Sequence, residues 1–185
     1  MAEDMWQAFA DSVEFMQDHY PIRRPSAKDI GAFERATGFT LPRSYCAFVK
    51  RFGPGRLGHD FILSAPGNPK NKKNVSLDVM VAEYREAYAD PGSADDSDDP
   101  DRVRRLVPFC DSKLQQWMIG WDPEEVTDPS GPEYAVYGVT RMEQVIRVAD
   151  SFPDFVEGYV FDRFPKSTFH KDGTPFDPLR EFQRC

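Results

Sequence analysis

The chain has no run approaching the roughly 20 consecutive apolar residues a helix needs to cross a bilayer, so a helical membrane span is not expected. Cysteine is scarce. Cys46, Cys110 and Cys185 are far apart, odd in number and fit no Cys-x-x-Cys spacing, so they read as two core thiols and a tail thiol. Histidine is as rare: His19, His59 and His170 show no metal-ligand spacing. Positive charge is in deficit, with 23 Lys and Arg against 31 Asp and Glu and a net charge of −8. Binding to nucleic acid or an anionic membrane would need a locally basic face working against that field. The opening "MAEDMWQAF" carries no basic residue and lacks the charged and apolar regions of a secretory signal. Cytoplasmic residence is the expectation.

What the chain does have is aromatic residues. Phenylalanine alone accounts for 15 of its 185 positions, which predicts an aromatic-rich core in one domain with modest extensions. Trp6, Phe9, Val13, Met16 and Tyr20 recur at helical spacing before Pro21 and Pro25. Ser26 and Asp29 form a capping-box pattern for a second helix carrying Ile30, Phe33 and Ala36, with Gly38 at its stop. Thr40 and Pro42 suit the start of a third, whose Tyr45, Phe48, Val49 and Phe52 lie on one face. A strand is expected over 59–64 and another helix over 75–89. Residues 90–101, "DPGSADDSDDPD", hold six aspartates and no basic residue, which reads as a solvated, mobile loop.

The second half alternates turn residues with short β-branched or aromatic runs at 105–110, 115–121, 133–139 and 143–149. These leave no room for crossover helices, so antiparallel pairing follows. A helix over 151–161 closes the pattern. The expected class is α+β: N-terminal helices, then a mainly antiparallel sheet with a closing helix. The division expected is a helical extension over 1–25, a domain over 26–161 and an irregular tail over 162–185.

One motif points elsewhere. Gly53, Gly55 and Gly58 have the Gly-x-Gly-x-x-Gly spacing of a dinucleotide cradle. That cradle needs strand, turn and then helix, so that a helix N-terminus faces the phosphates. Here a helix precedes the glycines and a strand follows. Pro54 also removes one of the backbone N–H groups. The motif reads as a helix exit, and no cofactor is expected.

The same stretch, "IGAFERATGFTLPRSYCAFVKRFGPG" over 30–55, resembles the opening of the SMI1/KNR4 family (SUKH superfamily). The features are Phe33-Glu34, Gly38, Leu41-Pro42, Tyr45 with Phe48, and Gly53 with Gly55. "LVPFCDSKLQQWMIGWD" (106–122), "EYAVYGV" (133–139) and "VADSFPDFVEGY" (148–159) are similar to later family strands and the closing helix, in the same order. Departures are Phe52-Gly53-Pro54-Gly55, where the family more often shows Asn-Gly-Gly, and Ala135-Val136 in place of a Pro-Val pair. The resemblance implies an α+β domain without a catalytic constellation. In bacteria such domains commonly serve as immunity proteins that neutralise a polymorphic toxin, often a nuclease. Fungal relatives are regulatory interaction modules, the alternative reading here.

Residue by residue, the chemistry is sparse. His59 with Asp60, or Cys110 with His59 or His170, could form an acid/base or nucleophilic pair in a small hydrolase. Structural thiols and surface imidazoles are the plainer roles. A metal site among the aspartates lacks the spacing of a calcium loop. Trp117 and Trp121 fall on one face of a strand and are core residues or, if exposed, interface anchors. Asp95, Asp96, Asp98 and Asp99 could meet a basic protein partner such as a toxin domain.

Overall fold

The computed structural model describes residues 4–16, 23–58, 60–67, 76–114, 116–164 and 180–184. Helices α1 (Gln7–Ser12), α2 (Ala27–Thr37), α3 (Arg43–Phe52), α4 (Leu77–Ala87) and α5 (Pro100–Arg105) accompany eight strands. These are β1 (Glu14–Met16), β2 (Gly55–Leu57), β3 (Phe61–Leu63), β4 (Val107–Ser112), β5 (Trp117–Asp128), β6 (Glu133–Val139), β7 (Val145–Ala149) and β8 (Glu181–Arg184). They form one sheet in the order β1-β8-β2-β3-β4-β5-β6-β7. Only β1 and β8 run parallel; every other pair is antiparallel. The α+β class expected from the sequence is the one observed.

Local signals hold where neighbours in sequence supply the partner. Ser26 and Asp29 make a reciprocal capping box, and Gly38 ends α2 at φ 72°. Glu34 Oε1 then accepts from Leu41 N at 3.0 Å, which fixes the turn into α3. Thr40, however, does not cap α3. Pro42 occupies the N-cap without a side-chain bond, and the Ser44 N–H donates to Glu133 Oε1 of β6 at 2.9 Å. A carboxylate 89 residues away does the work assigned to a hydroxyl nearby.

The first helix is shorter than its period suggests. After Ser12 the chain turns extended, and β1 pairs with β8 through Glu14–Glu181, Phe15–Phe182 and Met16–Gln183. Tyr20 lies outside the described residues. The expected irregular tail instead delivers β8 between β1 and β2. Phe182 is the reason: its ring is fully buried beside Phe9, Phe48 and Phe52. Fully burying such a side chain stabilises by roughly 1.5–3 kcal/mol over leaving it exposed.

The glycine motif resolves as expected in kind. Gly53 closes α3, its N–H bonded to Val49 O at 2.9 Å. Gly55 lies in β2, where a Cβ would stand 2.6 Å from Gln183 O, so only glycine lets β8 approach. Gly58, at φ 57°, turns the chain toward β3. The single strand expected at 59–64 is therefore one arm of a β2–β3 hairpin.

The sheet is covered on both faces. On one, α1, α2, α3 and a π-helix over Asp154–Arg163 enclose an aromatic core that includes Tyr45, Phe48, Phe109, Trp121, Phe152 and Phe155. Phe109 and Trp121 stack with centroids 4.1 Å apart. On the other, Tyr84 of α4, Val103 of α5 and Leu106 pack on Ala135, Tyr137 and Val139. Strand β6 thus alternates Tyr134 and Val136 on the first face with Ala135, Tyr137 and Val139 on the second. This double burial explains why it reads as an unbroken apolar run.

Candidate functional site

The β4–β5 and β6–β7 turns lie at the same end of the sheet, and each carries a non-glycine residue in left-handed conformation. These are Gln116 at φ 55° and Glu143 at φ 56°. Such residues are uncommon and persist where their surroundings over-determine them. The first turn is held by buried Asp60, whose carboxylate accepts from Ser112 Oγ and Leu114 N while its carbonyl accepts from Lys113 N. The second closes on Thr140, whose carbonyl accepts from Glu143 N and whose hydroxyl accepts from Met142 N and Gln144 N. Arg141 Nη1 donates to Gln116 Oε1 at 3.2 Å and ties the two turns together.

Between them opens a cleft of about 450 Å³ on the second face of the sheet. Cross-strand partners Asp111, Met118 and Val139 line it in register, and Tyr88 at the end of α4 and Glu143 contribute further lining. Asp111 is half-buried, and among the described residues no donor bonds its carboxylate. Burial pushes its pKa up, and nearby Lys113 offsets this only in part. Glu143 Oε2 is buried without a hydrogen-bond partner. The Tyr88 hydroxyl is raised by its burial and by the Glu143 carboxylate beside it. The cations Lys113 and Arg141 sit exposed at the rim. The cleft therefore presents unmet carboxylate oxygens inside, beside the Tyr88 hydroxyl, and solvated charge outside.

The aspartate segment borders this cleft. It is not a loose loop: a 3-10 turn over Pro91–Ala94 leads into α5, and the aspartates themselves build it. Asp90 caps the turn through Gly92 N, and Asp99 caps α5 through Arg102 N. Asp98 Oδ1 accepts from Val145 N of the edge strand β7 at 2.9 Å, and Ser97 Oγ donates to the Glu143 carbonyl at 2.7 Å. Asp95 pairs with Arg104 at 3.3 Å; Asp96 stays exposed. Short polar side chains satisfying local N–H groups account for this order where composition suggested mobility.

Beside it, fully buried Asp122 of β5 gathers the arginines of α5. Arg102 Nε reaches it at 2.9 Å, and Arg105 binds both oxygens at 2.8 Å. Burial alone would raise the Asp122 carboxyl, but Arg105, the Glu124 N–H and Arg102 together hold it below its ordinary value. Arg102 also lies 4.3 Å from the Tyr137 ring centre, and Tyr137 donates to Glu125 Oε2 at 2.6 Å. Arg102 and Arg105 are thus drawn inward, Arg104 pairs with exposed Asp95 and Asp101, and Asp96, Asp101, Glu124 and Asp150 face solvent.

The two tryptophans share a face, as their spacing requires, but differ in exposure. Trp121 is sealed in the aromatic core at 0 % exposure and offers no surface to a partner. Trp117 is half-buried at the lip of the cleft, its ring over Gly138, where a Cβ would come within 2.9 Å of Cε3. Asp111 is visible in the sequence, since Cys110-Asp111 ends an apolar strand where active-site residues can sit; Tyr88 and Glu143 carry no such signal.

The nucleophilic pairing finds no support at its thiol. Cys110 is fully buried, and burial pushes its thiol well up, away from the thiolate a nucleophile needs. Asp60 is occupied by the β4–β5 turn, while His19, His59, His170 and Cys185 lie outside the described residues. Among the described residues no group of three or more His, Cys, Asp or Glu side chains is placed to hold a metal ion, and no helix is long and apolar enough to cross a membrane.

The sequence profile of the SMI1 / KNR4 family (SUKH-1) matches residues 24–158, a span that contains the cleft and the acidic segment. No curated protein matches the chain.

Proposed function

The chain belongs to the SMI1/KNR4 family (SUKH-1), and from that premise we propose that it is a non-enzymatic cytoplasmic binding protein that captures and neutralises a toxin domain with a basic surface. The observation that carries this reading is the one-sided acidity around α5 and the β5–β7 strands. There Asp122 draws Arg102 and Arg105 inward, Arg104 is shared between Asp95 and Asp101, and carboxylates outnumber the cations toward solvent. Such a face attracts a basic partner at long range and sets its orientation on contact. Neutralisation would follow by occlusion of the toxin's working surface, with no cofactor and no bond made or broken.

The test is co-expression with the product of a neighbouring toxin-like reading frame. Growth restored by this chain, and a complex whose association slows steeply with added salt, is the expected result. Toxicity unchanged when both are present overturns the reading for that partner, and stable capture of a host protein instead would favour a regulatory module.

A further inference from the structure

We infer that the cleft between the β4–β5 and β6–β7 turns receives one arginine side chain from the protein partner. This rests on the protein-binding reading and names the contact at its centre. Four observations converge. The cleft contains two carboxylates with unmet acceptor oxygens: Asp111 on β4, which no donor among the described residues bonds, and Glu143 in the β6–β7 turn, whose Oε2 is buried and unbonded although the Tyr88 hydroxyl lies beside its carboxylate. Leaving such an acceptor buried and unmet is costly, so a site that keeps one is completed by a donor from outside.

Met118 and Val139 give the row beside Asp111 an apolar surface for an alkyl stem, and Tyr88 brings an aromatic ring. The volume of about 450 Å³ falls in the range of roughly 300–1,000 Å³ typical of ligand pockets. Both turns that frame it hold a non-glycine residue at positive φ and are tied by Arg141 to Gln116, so the frame is built before a ligand arrives.

Guanidinium fits this set better than ammonium. Its planar fork carries five donors and can meet two carboxylates in different directions while a ring lies against its face. An anion is disfavoured, because the cations at the cleft are exposed at its rim and Arg141 is already bonded to Gln116. The acidic face of Asp95, Asp96, Asp101 and Glu124 around the neighbouring helix would draw the same basic surface inward.

The experiment uses the full chain and three capped tripeptides, Gly-Arg-Gly, Gly-Lys-Gly and Gly-citrulline-Gly, followed by amide chemical shifts in NMR. Citrulline keeps the shape of arginine and removes its charge. The arginine peptide should give saturable shifts at Lys113, Trp117, Thr140 and Glu143. The citrulline peptide should bind at least 10-fold more weakly, and the lysine peptide should fall between them. The double variant Asp111→Asn, Glu143→Gln should weaken the arginine peptide at least 10-fold while its remaining amide spectrum overlays that of the wild type. The two single variants, each weaker by several-fold, carry the test if the double variant does not fold. Equal shifts from arginine and citrulline peptides, shifts mapping to another surface, or undiminished binding by the variants overturn the inference. A chain that still neutralises its toxin yet ignores the arginine peptide overturns this inference alone and leaves the proposed function standing.

Discussion

Replacing Asp122 by Asn removes the charge on which the second face of the domain is organised. The carboxylate accepts from Arg102 Nε, from Arg105 Nε and Nη2, and from Glu124 N. Asparagine keeps one acceptor oxygen and turns an NH2 group toward a guanidinium. Breaking a buried ion pair from one side costs about 3–5 kcal/mol. Both guanidiniums here keep about a quarter of their side-chain surface, 27 % and 26 %, and can turn to water or to Glu124 and Glu125. We therefore expect a loss at or just below the lower end, about 2–3 kcal/mol at pH 7.

The pH dependence separates this cause from a packing defect. The folded-state pKa of Asp122 is depressed, so its contribution is fully present above the unfolded carboxyl value of about 3.9. It is lost as pH falls through the folded value. Urea unfolding of wild type and Asp122→Asn should show a constant gap from pH 5 to 8 that closes steadily below about pH 4. A gap under about 0.5 kcal/mol at pH 7, or one that persists undiminished at pH 2–3, refutes the reasoning. Added salt distinguishes it further. The exposed Arg104–Asp101 pair should be screened, while the Asp122 gap largely survives.

Gly138→Ala places a methyl 2.9 Å from the Trp117 ring and should cost about 1–3 kcal/mol, with a shift in tryptophan emission; an unaltered spectrum counts against the placement of Trp117. Burial pushes the Cys46 thiol up to about 12 and holds the Cys110 thiol well above its ordinary value. Iodoacetamide at pH 8 should therefore label neither in the native protein, and mass spectrometry showing rapid native labelling of Cys110 would reopen the nucleophile. Asp111 has the opposite sign to Asp122: its raised pKa means the ionised form penalises folding, a cost absent below the unfolded carboxyl value and complete above the folded one. Asp111→Asn should accordingly raise the urea midpoint at pH 7 and lose that advantage near pH 3; a lower midpoint at pH 7 shows that the carboxylate has a stabilising partner after all.

The parts of this fold legible in the sequence are those whose partner lies within one helical turn or one strand period. Ser26 and Asp29 are three residues apart, and their capping box forms as their spacing demands. Tyr45, Phe48, Val49 and Phe52 share a helical face and all reach the core. What escaped depends on distant chain. Thr40 looked like the cap of α3 because no local pattern announces Glu133. Strand β8 has four residues and no alternation long enough to register, and it forms because β1 and β2 offer it edges on either side. The helical stripe from Trp6 through Met16 was interrupted by the same event, since pairing with β8 pulls Glu14–Met16 out of the helix.

The acidic segment departs from what its composition suggests for a related reason. Six aspartates without a base suggest chain that water can hold, yet Asp90, Asp98 and Asp99 each bond a backbone N–H, and Asp95 pairs with Arg104. Composition counts charges but cannot say which of them have been enlisted. The difference matters for recognition. An aspartate bonded to Val145 N occupies one N–H at the start of edge strand β7, whereas exposed Asp96 and the unmatched carboxylate oxygens of the cleft remain for a partner. The acids available to a ligand are thus the remainder after folding has taken its share. That remainder falls beside Trp117, at the one pair of turns in the described chain whose non-glycine residues are held left-handed.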